Sequence, residues 1–339
     1  MRVSIVGAGL QCRRRAPSVG AVKGARLVSI SSLHREHAVS EAAKYGVEYD
    51  ENWQDTLARD DVDVIFVCTP PSSHAEISIA AMRAGKHVLC EKPLTKTLEE
   101  AKEMIRVSRE TDRILKCGFN HRHHPAIWEA HQRLQAGELG TPMFARCRYG
   151  ICGRPGYENE WRADPQQAAG GQFIEQGTHA MDLFRWFLGD LVEVACMTSI
   201  HYFTKQAMDD GGMALFRAGN GATATLHTTL TQWKNLFSFE VFGSDGYIQV
   251  EGLGGGYGTE TLAIGRRDFT APFQDQVIYY RGGDKSWDAE WLEMAAAIEE
   301  GREPVGNGMD GLEAMRIALT AYESEKQRAT LPIPHGDIA

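Results

Sequence analysis

The chain has 339 residues, 43% of them hydrophobic and 24% charged, with a net charge of -9 at pH 7. That length predicts about two domains and a core large enough to need no metal or disulfide staple. The composition excludes wholesale disorder, a basic nucleic-acid-binding surface and a membrane span, so neither nucleic acid nor membrane is an expected partner. The seven cysteines are scattered and include no C-x-x-C pair, which reads as reduced thiols rather than a zinc ribbon or a disulfide framework. Met1-Arg2 runs straight into Val3-Ser4-Ile5-Val6 without the layout of a signal peptide, so a cytoplasmic location is expected.

Up to about residue 120, short apolar runs alternate with helical patterns. The runs are 2–6, 27–30, 62–68, 87–90 and 115–119, and the helices fall near 11–20, 35–45, 74–84 and 98–111. This alternation predicts βαβ units and a parallel sheet. Beyond about residue 140, strand-like runs follow one another directly at 143–149, 191–200, 212–217, 222–230, 237–243 and 247–250. Asn220-Gly221 and Ser244-Asp245-Gly246 read as hairpin turns between them. Helices at 285–300 and 308–325 close an α+β second half.

Gly7-Ala8-Gly9-Leu10-Gln11-Cys12 stands between the first strand and the first helix. One glycine there permits a tight turn, and the next lets a pyrophosphate approach the backbone at a helix N-terminus. Cys12 occupies the third glycine position. The end of the second strand carries Ser31-Ser32-Leu33-His34-Arg35, with no carboxylate for a ribose 2′-hydroxyl. Nothing at Ser32 repels a 2′-phosphate. Arg35 or His34 either pairs with one or is a solvated first-turn residue. The expected cofactor is therefore NAD(P), with a slight lean to NADP.

Glu91-Lys92-Pro93 follows the fourth strand, at the carboxyl end of the sheet where ligands bind. Lys92 is either a group held over the nicotinamide or a surface lysine of a turn. In the segment Gly170–Leu183, Glu175 and His179 are four apart, which on one helix is one face, and Asp182 is three further on. A carboxylate beside an imidazole orients it and raises its basicity, as a general base requires; the alternative is a satisfied core histidine. The polar, aromatic stretch Arg146–Arg162, with Tyr157, Trp161 and Arg162, suits sugar recognition, or the clamping of an anion, or a plain surface loop. Thr231–Asn235 reads as a second such loop. His121-Arg122-His123-His124 lacks the spacing of a metal site, so no metal is expected.

Taken in order, the glycine-rich start, Cys68-Thr69-Pro70-Pro71 with His74, the segment 84–93 (AGKHVLCEKP), Asn120 with Arg122, and Gly177-Thr178-His179 with Asp182 resemble the glucose–fructose oxidoreductase / inositol dehydrogenase (Gfo/Idh/MocA) family over nearly the whole chain. The resemblance implies an N-terminal Rossmann domain with a parallel sheet over residues 1–122. It also implies a C-terminal α+β substrate-binding and oligomerisation domain with an open, mostly antiparallel sheet over 123–339. It assigns Lys92 to the reacting hydroxyl or carbonyl and His179 to acid–base work, with Glu175 beside them where the family has an aspartate. Gly7, Gly9, Leu10, Gln11, Ser32, Arg35, Thr69, Pro70, His74, Glu91 and Lys92 would hold the cofactor. Asn120, Arg122, Tyr157, Trp161, Arg162 and Asp182 would meet the substrate. The implied activity is hydride transfer between a nicotinamide and a secondary hydroxyl or carbonyl of a sugar, polyol or sugar derivative. Two alternatives stay open: a catalytically silent dinucleotide-binding sensor, and a relative that recycles a tightly held NAD without net redox. A homodimer or homotetramer is expected, because the runs 222–227 and 237–242 put apolar or Thr residues on alternate positions of an open sheet.

Overall fold

The structure, a computed structural model, describes residues 1–203, 208–271 and 274–336; the last three residues of the expected second domain lie outside it. The first sheet is built from β1 (Arg2–Val6), β2 (Arg26–Ser31), β3 (Glu48–Asp50), β4 (Val64–Val67), β5 (His87–Cys90) and β6 (Leu115–Cys117). Its order is β3-β2-β1-β4-β5-β6, and every pairing is parallel. The crossovers carry α1 (Leu10–Ser18), α2 (Arg35–Tyr45), α3 (Trp53–Ala58), α4 (His74–Arg83) and α5 (Leu98–Thr111). Val3, Ile5, Val64, Ile65 and Phe66 are fully buried, as strands covered on both faces require. The chain leaves β1 in one direction and returns through β4 in the other. The crevice at that switch, beyond the carboxyl ends of the strands, is where Gly7–Gly9, Thr69 and Lys92 fall. The edge pieces β3 and α3 were not expected, since Glu48-Tyr49-Asp50 contains no apolar run.

After a single turn of 3₁₀ helix at Asn120–His123 come α6 (Pro125–Gln135), β7 (Pro142–Cys152), α7 (Gln172–Glu175), α8 (Gly177–Leu188), β8 (Leu191–Ser199), β9 (Gly211–Ala218), β10 (Thr223–Thr229), β11 (Thr231–Gly243), β12 (Gly246–Glu251), β13 (Glu260–Arg266), β14 (Asp275–Tyr280), α9 (Ser286–Glu300), α10 (Gly308–Gln327) and β15 (Leu331–Pro332). The nine strands lie in the order β14-β13-β12-β11-β7-β10-β9-β8-β15. Only β7 and β10 pair in parallel among them, so the sheet is mostly antiparallel. The stretch 231–235 is not a free loop. It is the irregular start of β11, where the register shifts before Leu236 and Trp233 takes a positive φ of 57°. On one face, Phe184 and Phe187 of α8 and Met315 of α10 pack with Leu226 and Phe239 of the sheet. The other face stays open, with Met197, Met213 and Leu215 at 77%, 58% and 60% exposure.

The last two long helices do not stay with the second sheet. Trp291 of α9 is fully buried against the first sheet, its ring meeting Phe66 edge-on at 5.1 Å. Leu312 and Ala314 of α10 join the core that holds Leu94 and Phe119. The two halves are therefore laced together, with a cleft between them.

Candidate active site

The floor of the cleft comes from the turn after β1. Gly7 has φ of +108°, and a Cβ there would fall 2.6 Å from the carbonyl oxygen of Cys68, so only glycine lets β1 and β4 end side by side. At Gly9 a Cβ would meet nothing within 4 Å. The helix that starts there, α1, has no side-chain cap and no acid in its first turn. Gln11 Oε1 is buried with no hydrogen-bond partner among the described residues. Uncapped N–H groups beside open space fit the pyrophosphate of a dinucleotide. Cys12 explains the missing third glycine: it is fully buried in the core beneath α1, and its small side chain still lets helix and strand approach. Burial pushes its thiol up to about 12, so it is no nucleophile.

The catalytic candidates converge from opposite sides. A cavity of about 540 Å³ is lined by Leu10, Gln11, Glu91, Lys92 and Asn120 from the first half and by Tyr157, Arg162, Glu175 and His179 from the second. Lys92 Nζ donates to the Glu175 carbonyl oxygen at 2.6 Å and lies 3.2 Å from its Oε1. Arg162 Nε reaches the same Oε1 at 3.3 Å, and its guanidinium rests over the Trp161 ring at 4.3 Å. Burial works against the Glu175 charge, but Lys92 and Arg162 outweigh it and hold the carboxyl below its usual range. Arg154, also on the wall, is paired with Glu160.

The structure revises how several of these residues act. Glu175 and His179 do not share one helix face, because the helix breaks at Gln176, where α7 ends and α8 begins. Glu175 turns to Lys92 and Arg162 instead of to the imidazole. Asp182 is likewise spent: Arg122 forks onto it with Nε at 2.8 Å and Nη2 at 2.6 Å, and the same guanidinium reaches Asp310. Neither Arg122 nor Asp182 lines the cavity. His179 is held well below its normal range, first by burial and then by the neighbouring His121 and Lys92, so it is a neutral acceptor at physiological pH. Its Nδ1 is buried without a partner among the described residues.

The cofactor-side expectations separate in the same way. His74 is fully buried and bridges two loops, with Nε2 2.8 Å from the Thr69 oxygen and Nδ1 3.0 Å from the Pro93 oxygen. It braces the turns that carry Thr69-Pro70 and Lys92, and none of Thr69, Pro70 and His74 lines the cavity. Glu91 accepts from the buried Arg15, whose Nη1 donates to Glu290 of α9 at 2.8 Å. Ser32 Oγ accepts the His34 N–H at 3.3 Å. Arg35 donates to Tyr49 Oη at 2.7 Å and lies 3.4 Å from Glu51 on an exposed edge.

Several lining residues carried no sequence signal of a binding role. Tyr257, Asp284 and Trp287 are among them, and His121 and His124 stand in the run considered only for metal binding. The histidines of 121–124 in fact serve three different partners: His121 lies 3.1 Å from Tyr149 Oη, His123 stacks on Trp128, and His124 pairs with Glu260 at 3.0 Å. Among the described residues no group of three or more His, Cys, Asp or Glu side chains is placed to hold a metal ion.

Five buried imidazoles make the fold acid-sensitive. Burial is the leading cause that lowers His74, His121, His123 and His179, and it brings His131 down to about 4. Because the folded-state pKa lies below the unfolded value of about 6.5, the unfolded chain takes up these protons first. Stability is thus complete above that value and lost as pH falls below it, at up to about 1.4 kcal/mol per pH unit for each histidine. We expect the melting temperature to drop between about pH 7.5 and about pH 5.5; an unchanged value would contradict this.

Comparison with known proteins agrees with the geometry. The chain is 28% identical over 329 residues to the 1,5-anhydro-D-fructose reductase of Ensifer adhaerens, covering 95% of this chain and 96% of that one. It is 27% identical to the scyllo-inositol 2-dehydrogenase (NAD(+)) of Bacillus subtilis (strain 168) over 335 residues, 96% of this chain and 94% of that one. Its fold superposes on a levoglucosan dehydrogenase in complex with NADH with a TM-score of 0.90 at 23% identity, covering 99% of this chain and 100% of the other. No described helix is long and apolar enough to cross a membrane. Residues 1–119 match the model of an oxidoreductase family with an NAD-binding Rossmann fold, and residues 127–249 match the GFO/IDH/MocA C-terminal domain. The chain belongs to the GFO/IDH/MocA oxidoreductase family.

Proposed function

We propose that the protein interconverts a secondary hydroxyl and the matching carbonyl on a sugar, polyol or sugar derivative, using a nicotinamide dinucleotide. The observation that carries this is the meeting of Lys92 and His179, from opposite halves of the chain, in one cavity that opens onto the Gly9–Gln11 turn. When bound, a nicotinamide dinucleotide would supply the hydride chemistry at the reacting carbon. Neutral His179 takes the hydroxyl proton in oxidation and returns it in reduction. The Lys92 ammonium stabilises the oxygen as negative charge develops. Glu175 fixes the ammonium in place and keeps Arg162 close enough to read a substrate hydroxyl, with Asn120 and Tyr157 also lining the cavity. Residues 1–122 are the dinucleotide-binding portion, and 123–339 carry the substrate and oligomerisation surfaces. The test is a panel of sugars and polyols, and of their keto forms, followed by the absorbance of the reduced nicotinamide. Turnover with at least one secondary alcohol supports the reading, and a silent panel with both cofactors overturns it.

For the cofactor we extend the reading from NAD(H) to NADP(H), which we expect to bind at least as tightly. Ser32 offers a 2′-phosphate no repulsion. Arg35 is held by Tyr49 and Glu51 on the exposed edge, where solvent screens such pairs, so a phosphate can compete for it. Leu33, 97% exposed, supplies no cation. Ser32→Asp is expected to shift preference toward NAD. A tenfold or greater wild-type preference for NAD that persists in Arg35→Ala would overturn the assignment; titration of both cofactors decides.

The open sheet face supports self-association in the cytoplasm as a homodimer or homotetramer. Met197, Met213 and Leu215 are exposed on it, and Phe144, Phe242 and Tyr247 stack on the strands beyond β10. Exposed apolar patches of this kind on a sheet find a second layer. Light scattering at micromolar concentration should give a multiple of the chain mass; a monomer would contradict this.

A further inference from the structure

We propose that His121 is the positioning residue for the His179 imidazole, a role that rests on the acid–base reading of His179 given above. The two rings lie face to face, with centroids 3.7 Å apart and planes 22° apart. No carboxylate stands behind His179 to set its ring. Glu175 faces Lys92 and Arg162, Asp182 faces Arg122, and Nδ1 of His179 has no partner among the described residues. Phe119 and Tyr149 stand off at 6.1 and 6.3 Å between centroids. The stack on His121 is thus the close contact that fixes the ring plane.

His121 is itself locked by a hydrogen-bond chain whose direction starts at a carboxylate. Ser286 Oγ donates to Asp284 Oδ1 at 2.6 Å, which uses its one hydrogen. It must therefore accept from Asn120 Nδ2, 2.9 Å away. That turns Asn120 Oδ1 toward His121 Nδ1, at 3.2 Å, so Nδ1 carries the hydrogen. A neutral imidazole has only one, which leaves Nε2 as the acceptor for the Tyr149 hydroxyl at 3.1 Å. The Tyr149 hydroxyl has one hydrogen, so its bond to Nε2 replaces the one it can otherwise donate to the Tyr257 hydroxyl 3.3 Å away. With both nitrogens assigned, His121 does not take the reaction's proton. It presents a flat face against which the His179 ring is held. The chain gathers residues from the start of α9, the 3₁₀ turn and β7, so the ring plane is set only when both halves are assembled.

The test uses the full-length protein, the best substrate of the panel and saturating cofactor. His121→Ala is expected to lower kcat at least about tenfold, the scale of a misplaced reacting group. KM and the dissociation constant of the reduced cofactor should stay within about twofold. His121→Phe keeps a flat ring and should recover at least about fivefold of the rate lost in His121→Ala. Wild-type kcat in His121→Ala, or equal impairment of both variants, would overturn the role. Turnover retained by His179→Ala would overturn the acid–base reading together with it. Turnover lost in His179→Ala but kept in His121→Ala would overturn the positioning role alone. Independently, ¹⁵N-histidine spectra of the wild type should place the His121 proton on Nδ1, and a proton on Nε2 would refute the chain.

Discussion

Lys92→Ala and His179→Ala should each reduce kcat by roughly 10²–10⁴-fold, the usual contribution of a positioned acid–base or charge-stabilising group. Both side chains line the cavity, yet neither sits at the Gly7–Gln11 turn that fits the pyrophosphate. The dissociation constant of the reduced cofactor, read by fluorescence titration, should therefore change by about twofold or less. Lys92→Ala also removes one of the two cations that hold Glu175 ionised, so its loss has two parts: the missing ammonium and a carboxylate left with Arg162 alone. Lys92→Arg keeps the charge but not the compact donor, and should recover little. A variant of either position with near wild-type turnover would remove it from the mechanism.

Asp182→Ala is the substitution expected to harm the fold most. Asp182 and Arg122 are buried, with 1% and 4% side-chain exposure, and their bidentate pair joins α8 to the 3₁₀ turn at Asn120–His123. Removing one partner of a buried pair leaves an uncompensated charge, at a typical cost of about 3–5 kcal/mol. Asp310 already touches Arg122 at 3.1 Å, so the lower end is expected here, about 3 kcal/mol. The measurement is the denaturant midpoint of unfolding at fixed protein concentration. A shift equivalent to less than about 1 kcal/mol would mean that Asp310 alone satisfies the guanidinium. Because α8 carries His179 and the 3₁₀ turn carries His121, kcat should fall as well.

What could be read from the chain was local. The five apolar runs of the first sheet became strands because their residues are covered on both faces and so form continuous hydrophobic stretches. Gly7 and Gly9 were legible because a close backbone approach has one chemical solution. Lys92 and His179 were found through motifs, and the structure brings them into one cavity. The roles of their neighbours were not legible, since a carboxylate four residues from an imidazole is equally free to turn elsewhere. A helix break at Gln176 sent Glu175 toward Lys92, and the long-range partner Arg122 claimed Asp182. Asp284 and Trp287 carry no motif and reach the cleft only because α9 folds back onto the first half.

That return of α9 has a consequence for how the chain is made on the ribosome. The first sheet is complete once residue 117 has been synthesised, but the slot beside Phe66 is filled by Trp291, and Arg15 waits for Glu290 as its second carboxylate. At about 5–20 residues per second, the nascent first half spends roughly 9–35 s with that slot open and Arg15 without its second carboxylate. The dinucleotide-binding half is therefore the first to be translated and among the last to be sealed, and a chain stopped short of α9 carries the glycine turn without the wall that closes behind it.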